Sequence, residues 1–177
     1  LRRNLRDNGV QDRATVYLGD CREVAARHGL RSMFDRVSLG LLPSSQGGWR
    51  TAVHALKRDS GGWLHVHGNV PVKERLLWFQ WLCRCLLDLV EEGGLVDWAV
   101  LGSHLEKVKS FAPTVNHYVA DVWLGPASLP QVSGVAAMGP GMAGVVVEGE
   151  MRVVDRNIED PSCALSDDGA LHQTWMR

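Results

Sequence analysis

This sequence supplies no ready metal cage. Its four cysteines, Cys21, Cys83, Cys85 and Cys163, contain one C-x-C pair and no second ligand pair at a zinc-like spacing. In a chain of 177 residues they also fail to make a secreted disulfide framework, so a reduced, cytoplasmic compartment is expected. Excess charge is lacking as well. The net formal charge is −1, so the total does not call for nucleic acid, although local patches stay open. No apolar run approaches the roughly 18 residues of a membrane span, and no signal peptide is expected at Leu1. No repeat is visible. What is present is a hydrophobic fraction of 45%, enough for one ordinary domain core plus a tail.

The first residues, Leu1 to Asn8, read as the end of a helix closed by Asn8-Gly9. Ala14 to Leu18 is β-branched or aromatic at Thr15, Val16 and Tyr17 and is expected to be a strand. Asp20 follows it and can cap a short helix from about Cys21 to His28. The next strand is Val37 to Leu42. A helix from about Gly48 to Arg58, with Ser45 as its cap, then leads to a strand from Trp63 to His67. The strongest helix runs from about Val72 to Glu92, with Leu76, Phe79, Cys83, Leu86, Leu87 and Val90 on one stripe and Gly93-Gly94 as its stop. Trp98 to Val108 and Asn116 to Leu124 complete the strands, and one of them is expected to run antiparallel at the sheet edge. The alternation of helix and strand implies an α/β fold with a parallel sheet. From about Pro126 the period is lost and acidic residues outnumber basic ones. Val145 to Val147 can form a strand, but residues 126–177 are expected to be mostly a poorly ordered tail.

Open α/β sheets carry their sites at the C-terminal ends of the strands, which directs attention to DRVSLGLLPSS (Asp35–Ser45) and GGWLHVHGNV (Gly61–Val70). Pro43 fixes the backbone at the end of one strand and suits a wall against a flat ring. The hydroxyls of Ser44 and Ser45 can hold polar atoms, or can belong to an ordinary loop and cap. His65 and His67 share one face. With no third ligand nearby a metal site is not expected, and His65 reads as a satisfied core histidine. His67, beside Gly68-Asn69 at the strand end, suits hydrogen bonding to a base or proton transfer. Asp20 can accept from an exocyclic amine such as that of adenine, or can be a plain helix cap, and the two roles can coexist. Arg22 can pair with a carboxylate or phosphate or stay solvated. Glu106, Lys107, Lys109, Phe111 and His117 make a small basic and aromatic patch of the kind that suits RNA, or a solvated edge strand. Trp78 and Trp81 are expected to pack.

Four runs, NLRDNGVQDRATVYLGDCRE, DRVSLGLLPSSQGGW, GGWLHVHGNV and KVKSFAPTVNHYVADV, resemble the eukaryotic tRNA wybutosine-synthesising aminocarboxypropyltransferases, from Leu1 to Leu124. These are related to the tRNA guanine-N1 methyltransferases. The resemblance implies a Rossmann-like class I methyltransferase sheet that binds S-adenosylmethionine. It places Asp20 and Cys21 against the adenine and Pro43 at the cofactor wall, while Arg22, Ser44, Ser45, Asn69, Lys107 and Lys109 are candidates for the RNA substrate on their own chemistry. The implied reaction moves the 3-amino-3-carboxypropyl group to a carbon of the wyosine precursor in phenylalanine tRNA. The family's glycine loop and acidic ribose ligand belong upstream of the helix at Leu1. The expectation is therefore a partial transferase domain over residues 1–125, a fragment of a parent that is monomeric. Guanine-N1 methylation and non-catalytic RNA binding are the alternatives.

Overall fold

The computed structural model describes residues 1–129 and 139–161. Its strands are β1 (Arg36–Leu39), β2 (Gly62–Pro71), β3 (Trp98–Ala112), β4 (Val115–Pro126), β5 (Ala143–Val147) and β6 (Glu150–Val153). Its helices are α1 (Arg2–Asp7), α2 (Cys21–Arg27), α3 (Trp49–Ala55) and α4 (Arg75–Glu92). The six strands form one sheet in the order β1-β2-β4-β3-β5-β6. β1 and β2 are parallel and joined by α3, as a βαβ unit requires.

Helix α4 forms where the apolar stripe repeats every three to four residues. Phe79, Leu82, Cys83, Leu86, Leu87 and Val90 are all buried against Leu64 and Val66 of β2 and Val122 and Leu124 of β4. Burial of each large apolar side chain contributes about 1.5–3 kcal/mol. The helix ends because Gly94 takes φ +69, a conformation costly for residues with a Cβ. That turn lets Leu95 N–H donate to Val90 O and Gly94 N–H to Glu91 O, which satisfies the last carbonyls.

Three expectations need correction. Ala14 to Leu18 is extended but makes no strand. Leu18 is 96% exposed, and Tyr17 stacks on His28 at 4.4 Å between ring centres. β-prone side chains hold a strand only through a paired neighbour, and among the described strands β1 has only β2 beside it. Second, the antiparallel strand lies inside the sheet. β4 pairs with β2 over Gly62↔Leu124 to Pro71↔Val115 and with β3 on its other side. The crossover through α4 sets β3 one strand-width away from β2, and the hairpin at Pro113-Thr114 folds β4 into the gap. Third, the described part of the stretch after Pro126 supplies two strands, while residues 130–138 and 162–177 lie outside the described residues. The one anticipated at Val145–Val147 is part of β5, which runs parallel to β3 through Val100↔Ala143 to Gly102↔Val145, and β6 closes a hairpin on it. Ala143, Val145, Val147 and Val154 belong to the main core.

Candidate active site at the ends of β1 and β2

The loop that leaves β1 is tied to β2 by main chain. Asn69 N–H donates to Pro43 O at 3.2 Å, and Ser44 forms an isolated antiparallel bridge with Gly68. The Leu42–Pro43 peptide is cis. These ties bring Pro43, Ser44, His67 and Asn69 to one cavity of about 120 Å³. Its other walls include Glu74, Trp78 and Trp81 at the start of α4, Trp49 of α3, and Asp160. Gly68 permits this closeness, because a Cβ there would lie 2.8 Å from the Trp78 ring. Trp81 meets Trp49 edge-on with centroids 5.7 Å apart, so these tryptophans pack, as expected, and also line the cavity. Burial pushes the Glu74 carboxyl up from its ordinary pKa.

Ser45 is not among the residues that line this cavity. It is 4% exposed, and its hydroxyl accepts a 3.1 Å hydrogen bond from Trp49 Nε1. It makes no side-chain cap to the turn it precedes. Ser44 Oγ accepts from Gln46 N–H at 3.2 Å, as a short polar residue before a turn commonly does. Removing the Ser45 hydroxyl leaves a buried indole N–H without its acceptor. Ser45→Ala is accordingly expected to lower stability by about 1–2 kcal/mol in urea denaturation. A loss near zero would mean that Trp49 finds another acceptor.

Asp20, Cys21 and Arg22 sit on the far side of the Gln46–Gly48 turn. Asp20 caps α2, accepting from Arg22 N–H at 2.9 Å. The Arg22 guanidinium grips the same carboxylate through Nε at 2.9 Å and Nη2 at 2.5 Å. The Arg22 hydrogen bonds hold the Asp20 carboxyl down to about 2. Cap and cation pairing thus coexist, both in solvent. Arg22 lines a larger hollow of about 680 Å³ between α2, α3 and α4, together with Arg31, Arg50 and His54. Cys21 is exposed and approaches Gly48, whose Cβ would lie 3.7 Å from Cys21 Sγ.

The two histidines of β2 part company. His65 Nδ1 lies 2.6 Å from Asp121 Oδ1, and its Nε2 lies 3.3 Å from Arg36 Nη1; it is satisfied. His67 Nδ1 lies 2.9 Å from His117 Nε2 of β4. Burial, then His67 and Lys109, push the His117 pKa down. Sequence reasoning placed His117 in a basic patch and missed this pairing, because the signal lies in the β2–β4 register. The patch itself is split. Lys107 pairs in register with Tyr118 and Lys109 with His117, and successive residues of a strand such as His117 and Tyr118 face opposite sides. Lys107 lines a third hollow with Arg75, Ser103 and His104. Among the described residues no group of His, Cys, Asp or Glu could hold a metal ion, and no helix is long and apolar enough to cross a membrane.

The cavity has aromatic walls and two carboxyl-bearing residues, Glu74 and Asp160, beside neutral Ser44 and Asn69. That set suits a cationic ligand with a flat part, since indole faces and carboxylates both attract positive charge. A volume of about 120 Å³ receives one end of a cofactor-sized molecule, whose full pocket is usually about 300 Å³ or more.

No protein-family model matches the chain. It is 44% identical over 122 residues to tRNA wybutosine-synthesizing protein 2/3/4 of Arabidopsis thaliana, covering 69% of this chain and 12% of that protein. It is 33% identical over 159 residues to the tRNA wybutosine-synthesizing protein 2 homolog of Danio rerio, covering 71% of this chain and 37% of that protein. The crystal structure of M. jannaschii TYW2 in complex with AdoMet superimposes with a TM-score of 0.56 at 22% identity, covering 70% of this chain and 51% of that one. The chain therefore spans a minor part of the curated relatives and about half of the solved neighbour. That likeness shows a Rossmann-like α/β fold over the matched part of this chain.

Proposed function

We propose that this chain, which belongs by sequence with the tRNA wybutosine-synthesizing 2 proteins, forms one side of the active site of an S-adenosylmethionine-dependent tRNA aminocarboxypropyltransferase. The observation that carries this reading is the convergence of Pro43, Ser44, His67 and Asn69 on one aromatic, acidic cavity at adjacent strand ends. When bound, S-adenosylmethionine supplies a 3-amino-3-carboxypropyl group activated by its sulfonium. Pro43, Trp78 and Trp81 form the wall that meets the cation, and Glu74 offers it negative charge. Asp20 and Cys21, across the Gln46–Gly48 turn, are assigned to the adenine side. Ser44 and Asn69 hold the edge of the target base, and His67 is the candidate for proton transfer. Arg22, Lys107 and Lys109 are assigned to RNA phosphates, on two sides of the molecule. Ser45 supports Trp49 and touches no ligand. Positioning provides most of the acceleration, since the leaving group is already activated. The family resemblance also supports phenylalanine tRNA as substrate, a cytoplasmic setting and a monomeric protein.

Two measurements test this. Incubating the protein with S-adenosylmethionine and unmodified phenylalanine tRNA should yield a nucleoside heavier by an aminocarboxypropyl group. Gain of a methyl group would replace the reading with guanine methylation, and RNA binding without product would replace it with a non-catalytic module. Iodoacetamide labelling reports the cofactor separately. The Cys85 thiol is pushed up to about 11 by burial, and Cys83 is fully buried and higher still, so at pH 8 Cys21 is expected to label before either of them. At cofactor concentrations where calorimetry shows binding, Cys21 labelling should slow several-fold. An unchanged rate would remove Cys21 from the cofactor contacts.

A further inference from the structure

Two buried side-chain atoms near the cavity have no hydrogen-bond partner among the described residues: Asn69 Oδ1 and His117 Nδ1. Asn69 is 4% and His117 8% exposed, so each bears the cost of an unmade bond. They are not independent, because Asn69 and His117 are register partners on β2 and β4, and such partners project from the same face. An amide oxygen can only accept. The two orphans become complementary, directly or through one water, only when His117 Nδ1 carries the proton. His117 Nε2 is then a lone pair, and the 2.9 Å contact requires His67 Nδ1–H to donate to it. The proton of neutral His67 is thereby fixed on Nδ1. Its Nε2, which has no hydrogen-bond partner among the described residues, is left as a lone pair on a residue that lines the cavity.

We infer that Asn69, His117 and His67 form a relay in which His117 is the positioning residue and His67 Nε2 the proton acceptor for a substrate C–H. The inference rests on the transferase reading, because carbon alkylation is the chemistry that creates such a proton. The ring carbon forms one C–C bond and loses its C–H bond. The C–H electron pair returns to the ring, the proton goes to His67 Nε2 and then to solvent, and the electrons of the broken C–S bond stay on sulfur. Lys109 of β3 stands opposite His117 in register and disfavours a second proton on His117. Glu106 of β3 is paired with His104, and Asp121 of β4 with His65. Glu74 at the start of α4 lies at the cavity. A neutral His117 is what an accepting Nε2 needs. The Asn69 amide nitrogen remains for the base edge.

Nitrogen-15 spectra of histidine-labelled protein read the tautomers without any activity. His117 is expected as the Nδ1–H form and His67 as the Nδ1–H form, and Asn69→Leu is expected to release both. His117 found as Nε2–H, or tautomers unmoved by Asn69→Leu, would overturn the relay. In transfer assays His117→Leu should lower kcat about tenfold with KM unchanged and blur the acid limb of the pH profile. His117→Gln, whose amide oxygen can still accept from His67, should recover most of that loss. Equal impairment of the two variants would reduce His117 to a packing role and overturn the relay. Wild-type protein that makes no aminocarboxypropyl product would instead overturn the transferase reading, whatever the tautomers.

Discussion

Replacing Gly61 by alanine is expected to destabilise the protein by about 3 kcal/mol or more. Gly61 has φ +63, so any Cβ there carries the left-handed penalty of about 1 kcal/mol. The larger share is steric. The added carbon would lie 2.2 Å from Leu124 O and 2.5 Å from Gly125 Cα. Both are backbone atoms of β4 and neither can swing aside. Gly61 also fixes the entry into β2 by donating its N–H to Lys57 O at 2.9 Å. Relief of the clash would therefore push β2 away from β4 at the first rung of their ladder. Urea denaturation of Gly61→Ala against wild type measures this. A loss below 1 kcal/mol would show that the β2–β4 pair has slack at this end.

Ending the chain after Pro126 is expected to remove most of its stability. The deletion takes Ala143, Val145, Val147 and Val154 out of the main core. At about 1–2 kcal/mol for each buried aliphatic side chain the direct loss is roughly 5 kcal/mol, similar to the whole stability of a small domain. It also bares the edge of β3, which then offers unpaired backbone groups to other molecules. The shortened protein should melt without a cooperative transition or aggregate on heating. A sharp transition at the wild-type temperature would show the β5–β6 hairpin to be an appendage, and would favour a domain boundary near residue 125.

The elements readable from sequence were those whose signal is local. Helix α4 announces itself through a stripe that persists over five turns and a Gly-Gly stop, and β2 through an apolar run between two glycine turns. What failed to show was pairing. Thr15, Val16 and Tyr17 have the side chains of a strand, but propensity cannot say whether a neighbouring strand exists. The place of β4 between β2 and β3 depends on a crossover that no short window contains. The same limit applies to the site. Pro43, Ser44, His67 and Asn69 could be grouped because both strands end in loop-forming residues. The partner of Ser45 did not show either, since its hydroxyl goes to an indole four residues on. His117 was grouped with Lys107 because they are near in sequence, while a bulge between Lys107 and Lys109 and the alternation of the strand send Lys107 elsewhere.

The bond from Asn69 N–H to Pro43 O and the bridge between Ser44 and Gly68 are made by the main chain. Side chains at Ser44 and Asn69 can therefore be exchanged without parting the two walls that present them. A lineage altering which base it accepts could change these positions one at a time, each intermediate keeping the crevice intact. Pro43 is the favourable residue for such a joint, because it offers the carbonyl that the tie uses and has no N–H of its own to satisfy. Shape is thus inherited through the backbone, while selectivity is left free to drift.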